Sequence, residues 1–253
     1  MMPRVVSAET LDSLAEQDPA AMQSRRDLQR VHRVMGTRGI VLDAMRGMAG
    51  LRRDVPPLRI LELGAGDGSL MLGVARRLKG YFPAVHLTLM DRQALVSPDT
   101  LAGYAEAGWT ATSNVMDVLI WADNVDVGFA ENSAPVWDLV VANLFIHHFE
   151  GPQLTLLLHA IAARSRCFFA CEPRRSRVAL AGSHLIGAIG ANAVTREDAV
   201  LSVHAGFSEQ DISALWPVSH SAGANWALKE YAAGFFSHCF IAQRKNQLGA
   251  ARP

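Results

Sequence analysis

Residues 59 to 69 read Arg-Ile-Leu-Glu-Leu-Gly-Ala-Gly-Asp-Gly-Ser, and no other stretch constrains the fold as tightly. An apolar run carries one acid, Glu62, and ends in glycines at alternate positions, Gly64, Gly66 and Gly68. A helical pattern follows at once, with Leu70, Met71, Val74 and Leu78 on one face and Arg76, Arg77 and Lys79 outside. Strand, glycine turn, helix is the opening unit of an open parallel α/β sheet. Glycine lacks a Cβ and tolerates positive φ, so such a turn lets a ligand lie against bare backbone at a helix N-terminus.

The spacing narrows the ligand. A dinucleotide fingerprint wants G-x-G-x-x-G/A, and here the third small residue falls one place early, with Ser69 after Gly68. Glu62, two residues before the first glycine, has no role in the dinucleotide version; a carboxylate there suits a cationic group such as an amino-acid ammonium. The pattern E-x-G-x-G-x-G resembles motif I of the class I S-adenosylmethionine-dependent methyltransferases. The competing reading is a glycine turn that merely joins a strand to a helix.

Bulk properties remove several classes. A chain of 253 residues, half of them apolar, is one α/β domain with room for an appendage. Lys+Arg and Asp+Glu balance at 24 each, so no basic excess marks a nucleic-acid partner. Apolar runs are short or glycine-broken, so no membrane span is expected, and the N-terminus lacks a sustained apolar signal region. Cys167, Cys171 and Cys239 make neither a disulfide framework nor a zinc spacing. They read as buried thiols of a cytoplasmic protein, and no metal site is expected.

Along the chain, residues 8 to 48 look helical. Leu11, Leu14 and Ala15 start one stripe and Leu28, Val31, Val34 and Met35 another, with a break at Gly36 and Gly39. Pro56-Pro57 closes this section. The expected division is an N-terminal helical cap over 1–57, a core over 58–244 with a substrate-side segment at 174–206, and a tail over 245–253. Within the core, strands are expected at Leu58–Leu63, His86–Asp91, Thr110–Val115, Trp137–Asn143 and Cys167–Glu172. A short helix is expected from Ser208 to Leu215. Two apolar runs, Trp226–Tyr231 and Phe235–Ala242, read as an antiparallel hairpin. The expected fold is therefore α/β, a Rossmann-like seven-stranded sheet with an antiparallel terminal hairpin and an N-terminal helical cap. That is also the layout the methyltransferase resemblance implies.

Ligands of open α/β sheets sit over the carboxyl ends of the strands, so the polar residues there are the candidates. The resemblance implies that Glu62, Gly64, Ala65, Gly66 and Gly68 cradle the methionine part of the cofactor. It implies that Asp91, with Arg92 beside it, holds the ribose hydroxyls, and that Met116 and Asp117 meet the adenine. Asp91 reads otherwise as a helix cap. The run Trp137 to Phe149 resembles motif IV of small-molecule methyltransferases, in the ubiquinone/menaquinone-type branch with a Leu-His-His-Phe-like ending. Asn143 and Leu144 would line the methionine end. The run lacks the Asn/Asp-Pro-Pro-Tyr/Phe signature of base-methylating enzymes.

His147 and His148 follow where the methyl group should emerge. A phenol with a pKa near 10 is a poor nucleophile at neutral pH, and a neutral imidazole can take its proton. His147 is placed slightly ahead of His148; the bland alternative is one strand-end cap and one exposed ring. Arg174, Arg175 and Arg177 read as an ion-paired loop, with a substrate contact as the alternative.

The expected activity is transfer of a methyl group from S-adenosylmethionine, leaving S-adenosylhomocysteine. The acceptor is a small, phenolic or polyketide-like metabolite of secondary metabolism, methylated at oxygen, with carbon or nitrogen left open. A non-catalytic cofactor-binding regulator, an aminopropyltransferase and a nicotinamide oxidoreductase are the competing classes. No nucleic-acid partner is expected, and a homodimer is left open.

Overall fold

The computed structural model describes residues 2–48, 57–82, 84–124, 136–217 and 226–245. Pro56 and the tail from residue 246 lie outside the described residues, so the cap boundary and the tail reading rest on sequence.

Three helices come first: α1 (Thr10–Ser13), α2 (Pro19–Met35) and α3 (Thr37–Gly47). The helical stretch expected from residue 8 is interrupted after Ser13, and Leu14 and Ala15 of the first stripe fall outside any helix. Proline at 19 disfavours helical backbone at Asp18 and takes the first-turn position of a new helix instead. Asp18 caps that helix by accepting the N–H groups of Ala20 and Ala21. Gly36, at φ +68°, ends α2, and its N–H reaches back to the carbonyls of His32 and Arg33. Gly39 lies inside α3.

The alternation then runs β1 (Leu58–Leu63), α4 (Ser69–Arg77), β2 (Val85–Asp91), α5 (Pro98–Glu106), β3 (Trp109–Val115), α6 (Val118–Asp123), β4 (Trp137–Asn143), α7 (Gly151–Arg164) and β5 (Ser165–Pro173). Next come α8 (Arg177–Leu185), α9 (Ala193–Ala205), β6 (Trp226–Ala233) and β7 (Ser237–Arg244). The sheet order is β3-β2-β1-β4-β5-β7-β6, with β1 to β5 parallel and β7 antiparallel to both neighbours. No helix among the described residues is long and apolar enough to cross a membrane.

Side chains alternate across the central strands, so each strand feeds two cores. Ile60, Leu139, Val141, Cys167 and Phe169 pack on the face covered by α3 and α4, with Met45, Met71 and Val74. Leu61, Val140, Ala142, Phe168 and Ala170 pack on the opposite face, with Leu157, Leu158 and Ile161 of α7 and with Trp216. This burial holds the carboxyl ends of β1, β2 and β4 at one rim. All three cysteines are buried thiols, and Cys171 pairs with Cys239 across β5 and β7.

The expected helix from Ser208 to Leu215 is instead a series of turns. Asp211 accounts for it: its Oδ2 accepts the Ser208 N–H at 2.8 Å and also the Arg175 guanidinium at 2.6 Å. That folds the segment onto β5 and leaves Ser208 without a capping role.

Candidate active site

The glycine turn after β1 forms one wall of a cavity of about 600 Å³ over the carboxyl ends of β1, β2 and β4. Gly64, Gly66 and Gly68 all have positive φ, at +65°, +55° and +73°. At Gly64 a Cβ would come within 2.2 Å of the Phe145 ring, so any other residue would force that ring to shift. At Gly66 the space is open, and backbone alone faces the cavity.

Glu62 and Asn143 supply the polar end. Both are buried, and Glu62 Oε2 and Asn143 Oδ1 have no hydrogen-bond partner. Burial, and then the charges of Asp67 and Asp91, push the Glu62 carboxyl up to about 8. An unpaired buried acceptor costs about 1–3 kcal/mol. Two of them lining one cavity are suited to a ligand with a cationic, multiply donating group, and an amino-acid ammonium is such a group.

Asp91 ends β2 and lines the same cavity. Its Oδ2 accepts the Gly66 N–H at 2.8 Å and its Oδ1 accepts the Gln93 N–H at 3.0 Å. It caps no helix, since Ser97 caps α5. Met116 and Asp117 follow β3 and line the far wall, where Asp117 also caps α6 through the Leu119 N–H. Arg92 lies on the rim, but its guanidinium is committed to Asp12, 2.5 Å from the carbonyl and 3.0 Å from the carboxylate. Leu144 turns out of β4 at φ +48°, a left-handed conformation that costs a non-glycine residue about 1–3 kcal/mol. It holds there because its N–H donates to the Cys171 carbonyl at 2.9 Å.

His147 and His148 sit on a single 3-10 turn, Ile146–His148, and line the same cavity. His147 is 2% exposed, with Nδ1 2.7 Å from Glu172 Oε2 and Nε2 3.4 Å from Glu9 Oε1. Burial alone would lower its pKa. The hydrogen bonds to Glu172 and Glu9, with their charges, outweigh burial and push it up to about 9. The His148 ring packs 4.2 Å from that of His147, centre to centre. Burial and then the His147 charge hold His148 below its usual value. The two rings thus differ: the flanking carboxylates favour the charged form of His147, while burial and that charge favour the neutral form of His148.

No family model and no curated protein sequence matches the chain. Solved structures do match. The plantazolicin methyltransferase BamL, in complex with a triazolic desmethylPZN analog and SAH, aligns with a TM-score of 0.59 at 12% identity, over 93% of this chain and 94% of that one. BpumL, another plantazolicin methyltransferase solved with SAH, gives 0.56 at 14% identity over 90% and 92%. A putative O-methyltransferase from Nostoc punctiforme PCC 73102 gives 0.55 at 13% over 96% and 64%. The chain has the class I S-adenosylmethionine-dependent methyltransferase fold. At these identities the likeness speaks for architecture, and the site must be read from its own residues.

Two residues of this methyltransferase fold matter more than their sequence context suggested. Glu172 was legible only as the end of β5. It is fully buried, and its carboxylate accepts the N–H groups of Phe145, Ile146 and His147 as well as the His147 ring. An acid inside the run Phe-Phe-Ala-Cys-Glu-Pro was the available signal, because a carboxylate in a buried strand must be paired. Glu9 gave no signal, since its partner lies 138 positions away in sequence.

Arg175 takes the ion-paired reading. It is buried and paired to Asp211, and it lines a second cavity of about 550 Å³ whose walls include His238 but neither His147 nor His148. His32, Leu28 and Gln29 of α2 roof the glycine turn, where Gln29 donates to Asp67 at 2.8 Å.

Proposed function

We propose that the chain is an S-adenosylmethionine-dependent methyltransferase whose acceptor is a small organic molecule methylated at oxygen. One observation carries the reading. The two unpartnered buried oxygens, Glu62 Oε2 and Asn143 Oδ1, line the same cavity as a glycine turn and a histidine pair. The fold supports it, as do BamL and BpumL, both methyltransferases solved with SAH.

When bound, S-adenosylmethionine supplies an electrophilic methyl group on a sulfonium. Glu62 and Asn143 hold the ammonium of its amino-acid end. Gly64, Ala65, Gly66 and Gly68 let it lie close to backbone. Asp91 accepts from the ribose hydroxyls while keeping the Gly66 N–H, and Met116, Asp117 and Leu144 frame the remainder. Arg92 serves this end indirectly, by tying α1 to the rim.

At the acceptor end the chain has to remove a proton and align an oxygen. His148 is neutral and partly open to the cavity, so it takes the proton; His147 is already protonated. Alignment within the walled cavity supplies much of the remaining acceleration. We place the cap over 1–57 and the segment over 174–206 as the acceptor's walls. The balanced net charge supports a metabolite rather than a nucleic acid. The run from Asn143 to Phe149 supports a place near the ubiquinone/menaquinone-type branch.

The test is incubation with methyl-labelled S-adenosylmethionine in a lysate of the source cell, followed by partition between organic solvent and acid precipitate. Label in the solvent supports the proposal, and chromatography of that fraction leads to the acceptor. Label in the precipitate means a macromolecular acceptor, and no transfer overturns the proposal.

A further inference from the structure

The segment ahead of α2 crosses the histidine end of the cavity as a strap with three separate anchors. The Arg4 guanidinium donates to the carbonyls of His147, Phe149 and Ala205, at 3.1, 2.8 and 2.8 Å. The Val5 N–H donates to the His204 carbonyl at 3.1 Å. Asp198 of α9 accepts the N–H groups of Thr10 and Leu11 at 2.8 and 3.0 Å. Between the anchors Glu9 turns inward, takes the Ser202 hydroxyl and faces His147 Nε2.

We propose that Glu9 is a positioning residue of the acceptor end: together with Glu172 it sets a carboxylate against each ring nitrogen of His147, and so leaves His148 as the ring that meets the acceptor. The geometry carries this. Nδ1 of His147 hydrogen-bonds Glu172 on β5, and Nε2 faces Glu9 on the strap at 3.4 Å, within ion-pair reach but without hydrogen-bond geometry, so a carboxylate stands at each side of the buried ring. Two flanking carboxylates favour the doubly protonated ring, which has no lone pair to offer as a base.

His148 differs on each point. Its side chain is 22% exposed, and its Nδ1 lies 3.5 Å from Asp12 Oδ2 of α1. The charged groups around it are His147, Glu9, Asp12 and Glu172, and the His147 ring, tilted against it at 4.2 Å, disfavours a second proton. Both Glu9 and Asp12 come from the N-terminal segment, so the acceptor end is incomplete without it. The inference rests on the reading that this end of the cavity receives the acceptor.

The test follows the ring resonances of isotope-labelled histidines in the full-length chain across pH, with and without S-adenosylhomocysteine. His147 is expected to carry both protons at pH 7 and to release one with a midpoint of about 9. Glu9→Gln lowers that midpoint, and Glu9→Asp restores most of it. Ser202→Ala, which removes the bond aiming Glu9, shifts it in the same direction by less. A His147 midpoint that is the same in the unaltered chain and in Glu9→Gln overturns the proposal, as does a His147 carrying one proton at pH 7. Calorimetry with S-adenosylhomocysteine separates the two readings. Absent binding by the unaltered chain defeats the cofactor assignment, while the histidine titration still decides the role of Glu9.

Discussion

His147 Nδ1 lies 2.7 Å from Glu172 Oε2, and the same buried carboxylate accepts the N–H groups of Phe145, Ile146 and His147. One side chain on β5 therefore builds the turn after β4 and fixes the ring that turn carries. The burial of Glu172 is tolerable only because its lone pairs are filled.

Removing that carboxylate should unmake the turn. Glu172→Ala is expected to cost about 3–5 kcal/mol, because it strands three N–H groups and a protonated ring in the interior. Urea denaturation measures this directly. A loss too small to measure would mean that the turn holds without Glu172.

Glu62 makes stability depend on pH in an unusual direction for a carboxylate. Burial raises its folded pKa to about 8, above the ordinary carboxylate value of 4.5. Its contribution is fully present below pH 4.5 and is lost as pH rises through 8. The loss is on the order of a few kcal/mol above that point, at about 1.4 kcal/mol per pH unit of displacement. Glu62→Gln should flatten the profile between pH 5 and 9 and raise ligand-free stability at the alkaline end. It should also weaken S-adenosylhomocysteine binding, because the carboxylate that meets the ammonium is gone. Thermal melts over that range check both halves, and parallel profiles in the two proteins would contradict the burial argument.

The glycine turn offers a graded comparison. Gly66→Ala meets open space and suffers only from positive φ, at a cost of about 1–2 kcal/mol. Gly64→Ala suffers the same and also drives its Cβ into the Phe145 ring, so it should be clearly the less stable of the two. Chemical denaturation of both variants reads the difference; equal losses would mean that Phe145 moves aside freely.

Much of this architecture was readable from periodicity. Apolar runs and glycine punctuation placed β1, β4 and the terminal hairpin within a residue or two at their first positions. The interior of β5 betrayed itself by an unbroken apolar run. What the sequence left unread shares one cause, a partner distant in the chain. Ser208 to Leu215 has helix-like spacing but bends where its own Asp211 meets Arg175. Sequence placed His147 ahead of His148 while showing neither Glu172 nor Glu9 beside it. Arg92 lines the cavity as expected, but nothing local reveals its pairing with Asp12. Local pattern encodes strands and turns; ion pairs closed by the tertiary fold are silent until the chain is folded.

Once an acceptor is in hand, His148→Ala should lower kcat by about a hundredfold or more while leaving S-adenosylhomocysteine affinity unchanged. Steady-state kinetics with calorimetry separates the two effects. Unaltered turnover would remove His148 as the base.

The cofactor assignment is tested most directly by titrating S-adenosylhomocysteine into the unaltered chain and into Asp91→Ala in a calorimeter. Saturable one-to-one binding by the unaltered chain, weakened about tenfold or more in a folded Asp91→Ala by the loss of charged hydrogen bonds to the ribose, is the result the account predicts. No binding by the unaltered chain, or equal affinity in both proteins, would contradict it.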